Sequence, residues 1–184
     1  MNGFGYTTLR GDGPNGSASI SGLGSLSTIL IGGSVSRGVV VAGMLQTSQV
    51  SNEYKGGPLR NVQATADGEP VEVTNHATGG LSSVGVFLDV YPMEQNGLHL
   101  GLGAGLGIVS TVNQLDNSTQ SGTAGAATLM LGYDWPISRA WALGLALVAS
   151  GSTTATMKHS KSGNESGYEL RPFSIGLSTS VLYF

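Results

Sequence analysis

The segment from residue 98 to residue 108 alternates without exception between an aliphatic side chain and a glycine or histidine. Its aliphatic positions are Leu98, Leu100, Leu102, Ala104, Leu106 and Ile108. Because successive side chains of a β-strand point to opposite faces, this period of two predicts a strand with one aliphatic face and one face of small residues. The same alternation in segments 127–135, 141–148 and 173–183 predicts three further strands.

Four earlier segments fit a strand pattern less regularly and bring the number of predicted strands to eight. They are residues 4–10, 23–34, 38–50 and 81–91. An even number of strands with roughly 9 to 11 residues each is typical of barrels that cross a membrane at a tilt.

The size of the residues on the two strand faces indicates which face points into the barrel. Eight strands enclose a lumen just wide enough for side chains, so the face of glycine, alanine and serine fits inside and the leucine face outside. Closure also gives every backbone polar group a partner, as hydrocarbon requires. We therefore expect one all-β domain over residues 1–184, an eight-stranded antiparallel up-and-down transmembrane β-barrel. A soluble lipocalin-like barrel, with the leucines inside, is the alternative fold.

The predicted connections alternate between short and long. The short ones are residues 34–37, 92–97 and 136–140, and the longer ones are 11–22, 51–80, 112–121 and 156–168. In outer-membrane barrels the short turns face the periplasm, so this alternation places both termini there. Within the second long loop, polar segments around Asp67 and Gly68 predict a hairpin that projects from the barrel. Lipid contact by that hairpin would instead give ten strands.

The aromatic residues collect at one end of the predicted strands. We expect a periplasmic aromatic girdle, where amphipathic rings favour the membrane interface, formed by Tyr91, Tyr133, Trp135, Trp141, Tyr183 and Phe184. Phe4 and Tyr6 are expected near the same rim.

Composition agrees with a protein whose surface is only partly in contact with water. Charged residues make up 10% of the chain, hydrophobic residues make up 40%, and there are 30 glycines. The net charge of −3, without a basic stripe, argues against nucleic-acid binding. The absence of cysteine excludes disulfides and thiolate metal sites. No apolar run reaches the length of a transmembrane helix, and we interpret Met1 as a start placed before an exported chain whose signal peptide is removed.

The pattern resembles the small eight-stranded outer-membrane barrels of the OmpA and OmpX kind, which end in an aromatic residue as this chain does. The alternation puts Tyr183 rather than Phe184 on the lipid face, and a bulge near Leu182 would correct this. The sequences around Tyr91-Pro92 and Tyr133-Asp134-Trp135 also resemble a family of uncharacterised predicted outer-membrane proteins. The resemblance implies a monomer in the outer membrane, with outer-membrane lipids, lipopolysaccharide and the barrel insertion machinery as partners.

One candidate polar site lies on the inward face. Asp89, His99 and Asp134 fall on three adjacent predicted strands near the periplasmic end. Such an interior network serves either as an ion-paired brace or as a proton-sensitive plug.

The remaining sequence features leave the function open among three classes. We expect a structural or surface-interaction role without catalytic residues, metal or cofactor. A narrow passive channel is the alternative, although Met44, Phe87, Met130 and one isoleucine of residues 29–31 could fill the lumen. A lipid esterase would use His159 with Ser160 or Ser162, but the H-x-S spacing of such enzymes is absent because Lys161 stands in the third place. His76, the other remaining histidine, also lies in a predicted outward loop.

Overall fold

Eight long antiparallel strands close into a ring in the computed structural model. They are β1 (Asn2–Gly13), β2 (Gly16–Ser36), β3 (Val39–Glu53), β4 (His76–Val90), β5 (Leu98–Asn113), β6 (Thr119–Pro136), β7 (Trp141–Ser152) and β8 (Glu165–Tyr183). Each strand pairs with the next along the chain, and β1 pairs with both β2 and β8, which closes the barrel. The predicted eight-stranded up-and-down barrel is therefore confirmed.

The structure describes most of the chain, with gaps at some connections. The described residues are 1–13, 16–53, 55–56, 62–64, 70–72, 76–93, 96–114, 118–159 and 165–183. Within these ranges, no helix is long and apolar enough to cross a membrane.

Among the described residues, four short strands accompany the barrel. Lys55–Gly56 pairs with β2, and Ala155–His159 pairs with both β6 and β8. Val62–Ala64 and Pro70–Glu72 pair with each other as a separate two-stranded sheet. The described arms of the polar hairpin predicted in the second long loop thus pair with each other and do not widen the ring of eight to ten, while the predicted turn at Asp67 and Gly68 lies outside the described residues.

The strands extend beyond the segments that the sequence pattern marks. Pairing of β1 with β2 continues to Gly13 and Gly16, so it covers most of the predicted loop 11–22. Strand Ala155–His159 and the start of β8 likewise occupy much of the predicted loop 156–168. The end of the apolar alternation reflects the end of the apolar band, whereas backbone pairing also continues through polar residues.

The two faces of the strands are oriented as the sequence predicts. Along β5, Leu106 is 74% exposed and Leu102 is 55% exposed, whereas His99 is 2% exposed. Large apolar residues are exposed on the outer surface of all eight strands. This distribution is the reverse of the one expected for a soluble lipocalin-like barrel.

The lumen is filled in layers, which the inward positions of β3 show in order. Ala42 and Met44 belong to one apolar cluster, Gln46 and Ser48 are polar, and Val50 belongs to a second apolar cluster. We call the first cluster the inner cluster; its members are Leu26, Ala42, Met44, Phe87, Met130, Ala146 and Val148. We call the second the outer cluster; its largest members are Leu9, Ile20, Val50, Leu81, Val109, Met157 and Leu170.

Filling of the inner cluster depends on glycines of β5, the strand next to the one that carries Phe87. A Cβ at Gly101 would lie 2.1 Å from Cζ of Phe87, and one at Gly103 would lie 2.9 Å from Sδ of Met44. The prediction that Met44, Phe87 and Met130 fill the lumen is confirmed. The prediction of an inward isoleucine in residues 29–31 is wrong, because both isoleucines are exposed outside and Leu30 is the residue that packs against the inner cluster.

Candidate functional site: an Asp-His-Asp cluster in the lumen

The predicted polar residues meet at the barrel end that carries the short turns, which we call the short-turn end. Asp89 is the penultimate residue of β4, His99 is the second residue of β5, and Asp134 lies two residues before the end of β6. In register, Asp89 is opposite Gly101 and His99 is opposite Gly132, so each side chain faces a glycine across the strand pair. All three side chains are buried.

The imidazole of His99 joins the two carboxylates. Its Nδ1 atom lies 2.9 Å from both carboxylate oxygens of Asp89 and donates a hydrogen bond to them. Its Nε2 atom lies 3.6 Å from Oδ2 of Asp134, which is an ion-pair distance but too long for a good hydrogen bond. The structure therefore brings together all three residues that the sequence predicts as an interior network.

Tyr91 is a fourth member of the cluster. Its hydroxyl donates a 2.7 Å hydrogen bond to Oδ2 of Asp134, and its ring stacks on His99 with centroids 5.0 Å apart. Tyr91 lies just beyond the end of β4, where burial and the neighbouring Asp134 carboxylate raise the pKa of its phenol. Its hydroxyl is therefore a hydrogen-bond donor over the physiological pH range.

The placement of Tyr91 corrects its assignment to the outward girdle. The residue follows Asp89 by two positions, and residues two apart share a strand face. The alternation that predicted Asp89 to point inward therefore also predicts an inward Tyr91, and the general preference of tyrosine for membrane interfaces concealed this.

Two glycines that the sequence analysis did not single out make space for the cluster. A Cβ at Gly132 would lie 2.1 Å from Nε2 of His99. A Cβ at Gly144 would lie 2.2 Å from Oγ of Ser180 and 2.3 Å from Oδ1 of Asp134. Only a residue without a side chain fits at either place, because the cluster occupies that volume.

The connection before β5 aligns the cluster's strands. Gly97 has a φ of 65°, a left-handed conformation that glycine adopts without strain. Its carbonyl accepts a 2.9 Å hydrogen bond from the backbone N–H of Asp134. This contact fixes the start of β5, and hence His99, beside the end of β6.

The cluster is suited to cross-linking rather than to turnover. It joins β4, β5 and β6 through charge-assisted contacts in a confined space, which are stronger than neutral ones. In the described part of the chain, no group of three or more acidic, histidine or cysteine side chains is arranged to hold a metal ion. The potential ligand atoms of the cluster already contact one another: both oxygens of Asp89 contact Nδ1 of His99. Oδ2 of Asp134 contacts the hydroxyl of Tyr91 and Nε2 of His99.

The other predicted girdle residues lie on the outer surface at the short-turn end. Tyr133 and Trp135 are in ring contact at 4.8 Å, as are Trp141 and Tyr183 at 5.0 Å. Their contact with a membrane interface stays a prediction, and Phe184 lies outside the described residues.

Two further expectations about the aromatic residues are wrong. Phe4 and Tyr6 are exposed outside but are opposite Leu177 and Ile175, several residues along β8 from Tyr183, so they lie away from the rim. The register of β7 with β8 runs without interruption through Leu182, so the suggested bulge is absent there.

The residues of the hypothetical esterase site are only partly described. The backbone of His159 ends the strand Ala155–His159, while Ser160, Lys161 and Ser162 lie outside the described residues. His76 is exposed at the start of β4.

Comparison with known proteins finds similarity only among solved structures. No family model and no curated protein sequence matches the chain. Neisserial surface protein A (NspA) is 13% identical, with a TM-score of 0.49 over 100% of this chain and 96% of that chain. The attachment invasion locus protein Ail of Yersinia pestis, in complex with the heparin analogue sucrose octasulfate, is 12% identical, with a TM-score of 0.41 over 99% of this chain and 95% of that chain.

NspA and Ail are eight-stranded outer-membrane β-barrels. The present chain is also a ring of eight strands, and its size is similar. The closed ring of eight strands by itself confirms, for the architecture, the resemblance to small eight-stranded barrels that the sequence suggested. Membership in the uncharacterised family with the Tyr-Pro turn stays a prediction.

Proposed function

We propose that the protein is an integral outer-membrane β-barrel with a structural or surface-interaction role. The observation that carries this proposal is the band of exposed leucine, isoleucine, valine and aromatic side chains on all eight strands. Water would not stabilise such a surface, since monomeric soluble proteins rarely expose continuous apolar patches of this extent. Acyl chains would cover the band, and ring closure leaves no strand edge in lipid.

The orientation follows from the connections. The short turns at the end that holds the Asp-His-Asp cluster would face the periplasm, and the longer connections would face outward. Recognition of an external partner would then fall to the long-loop end, for which the barrel is a rigid support.

The packing of the lumen favours this role over the narrow passive channel. The inner cluster, the outer cluster and the Asp-His-Asp cluster occupy successive levels of the lumen. The polar layer between the two apolar clusters contains Gln46, whose side-chain oxygen accepts a hydrogen bond from Thr128 on the far side of the ring. A continuous water path would need all of these levels to open.

The geometry of the Asp-His-Asp cluster supports a role as a structural brace between strands. Asp89, His99 and Asp134 tie three strands together, and all three side chains are buried. We propose no catalytic activity for the cluster, and no cofactor.

Folding in the presence and absence of micelles tests the proposal. The denatured chain should regain β-structure only with detergent or lipid, and the folded form should migrate differently from the boiled form on gels. In planar bilayers the folded protein should give no steady single-channel conductance. A soluble folded monomer in plain buffer would refute the membrane proposal, and steady conductance would favour the channel.

A further inference from the structure

Two arginines face each other on the outer surface of the barrel. Arg10 of β1 and Arg171 of β8 are register partners, and both side chains are exposed. Directly opposed residues have Cβ atoms about 4.5–5.5 Å apart, and like charges at such positions destabilise a sheet. An anion between the two guanidinium groups would reverse the sign of this interaction.

No close ion pair joins either arginine to a carboxylate within the described structure. Arg171 uses its Nε to donate to the hydroxyl of Thr154, and neither arginine forms an ion pair with a described carboxylate. Asp12 and Glu169 lie one row further from the apolar band and are opposite each other. The hydroxyl of Ser17 donates to Asp12. The row next to the apolar surface therefore carries two positive charges, and the row beyond it carries two negative ones.

The position of the pair along the barrel matches a lipid headgroup. Arg171 and Tyr183 are twelve positions apart on β8, and the outward residues between them are mostly apolar. At about 3.3 Å per residue and a tilt of roughly 35–45°, this spacing corresponds to about 30 Å along the barrel axis. Since the hydrocarbon core is about 30 Å thick, the arginines lie at the interface opposite the aromatic rim.

An apolar groove begins beside the two arginines. Ala104, Ala127 and Gly151 are successive register partners on β5, β6 and β7, and together they interrupt the leucine surface with small side chains. The groove has a volume of about 1010 Å³, and its lining includes Arg10, Arg171, Leu102, Leu129 and Phe173. A linear alkyl chain of a lipid fits such a depression better than a bulky amino-acid side chain of another protein does.

We propose that this surface binds one phosphorylated lipid of the outer leaflet, with its phosphate between Arg10 and Arg171 and an acyl chain in the groove. The proposal rests on the membrane location proposed above. Arginine matches phosphate through paired N–H donors, and the groove beside it distinguishes a lipid from free phosphate.

Native mass spectrometry of the full chain released from micelles tests the site. The probes are lipid A carrying its phosphates, phosphatidylcholine and inorganic phosphate. The variants are Arg10→Gln and Arg171→Gln. Arg37→Gln is the control, because it removes the same charge at a short turn away from the proposed site. Ala127→Leu fills the groove, and Gly33→Leu adds a leucine where the outer surface is open.

The expected result is one retained lipid A, bound about tenfold more weakly in each arginine variant, as the loss of a charge-assisted hydrogen bond implies. Ala127→Leu should weaken binding similarly, while Arg37→Gln and Gly33→Leu should leave it unchanged. Equal binding by all variants would overturn the site. Complete displacement by inorganic phosphate, with no effect of Ala127→Leu, would overturn the lipid as occupant. Either failure in a barrel that folds only in micelles leaves the membrane proposal intact.

Discussion

The Nδ1 atom of His99 lies 2.9 Å from both carboxylate oxygens of Asp89, so one imidazole joins β5 to β4 inside the barrel. The other ring nitrogen faces Asp134 of β6. Because both carboxylates are buried, the histidine compensates negative charge that the lumen would otherwise not stabilise.

Replacement of His99 by alanine should destabilise the folded barrel. The two buried carboxylates would lose their common partner, and removal of one member of such a network typically costs about 3–5 kcal/mol. Thermal unfolding in micelles, followed by gel shift, should show a lower transition temperature. His76→Ala, which alters an exposed histidine at the start of β4, should have no effect. Equal transitions for the two variants would show that the cluster is not a brace.

A methyl group at Gly132 should disturb the same cluster by steric means. The added Cβ would meet Nε2 of His99 at 2.1 Å, and overpacking of this kind typically costs about 1–3 kcal/mol. Gly33→Ala is the matched control, because nothing lies within 4 Å of the added Cβ. Urea unfolding in the presence of lipid should separate the two variants. A stable Gly132→Ala protein would contradict the observed position of the imidazole.

Loss of the Tyr91 hydroxyl should weaken the barrel without changing its packing. Tyr91→Phe keeps the ring stacked on His99 but removes the 2.7 Å hydrogen bond to Asp134. Hydrogen bonds to charged groups contribute about 1.5–3 kcal/mol, so we expect a decrease near the lower value in the free energy of unfolding. Tyr133→Phe on the outer surface is the control. If both substitutions have the same effect, Tyr91 is not part of the cluster.

The free-energy cost of an arginine on the outer face should depend on its depth in the membrane. Leu102 and Leu98 share the outward face of β5, but Leu102 lies near the middle of the apolar segment 98–108 and Leu98 at its short-turn end. In lipid, Leu102→Arg should cost about 2–4 kcal/mol and Leu98→Arg about 0–1 kcal/mol. The difference is measured as the free energy of unfolding in vesicles. A similar cost at both positions would be inconsistent with a membrane around the barrel.

The sequence predicts the barrel well where large and small residues alternate strictly, as in β5. The sequence does not predict which residues of β2 point inward, because large apolar residues occupy both faces of this strand. Leu26 and Leu30 are inside, and Ile29 and Ile31 are outside. The strand ends are misplaced because hydrophobicity reports the apolar band, whereas backbone pairing continues beyond it.

The candidate site is predictable as far as two features determine it: parity, which is the strand face given by alternation along the chain, and depth, which is the position along the barrel axis. Asp89, His99 and Asp134 follow from both, and Tyr91 follows from parity alone. The need for glycine at 132 and 144 depends on which side chains of neighbouring strands occupy the same volume, and this is known only once the register is known.

Spin labels test the direction of the outward leucines most directly. Because the chain has no cysteine, a single introduced cysteine is the unique site of labelling. A nitroxide on Leu106→Cys in vesicles should be accessible to oxygen but not to a water-soluble nickel chelate, and one on Arg37→Cys should show the reverse. A nitroxide at position 106 that is shielded from both reagents, in a barrel that stays folded without lipid, would contradict the account.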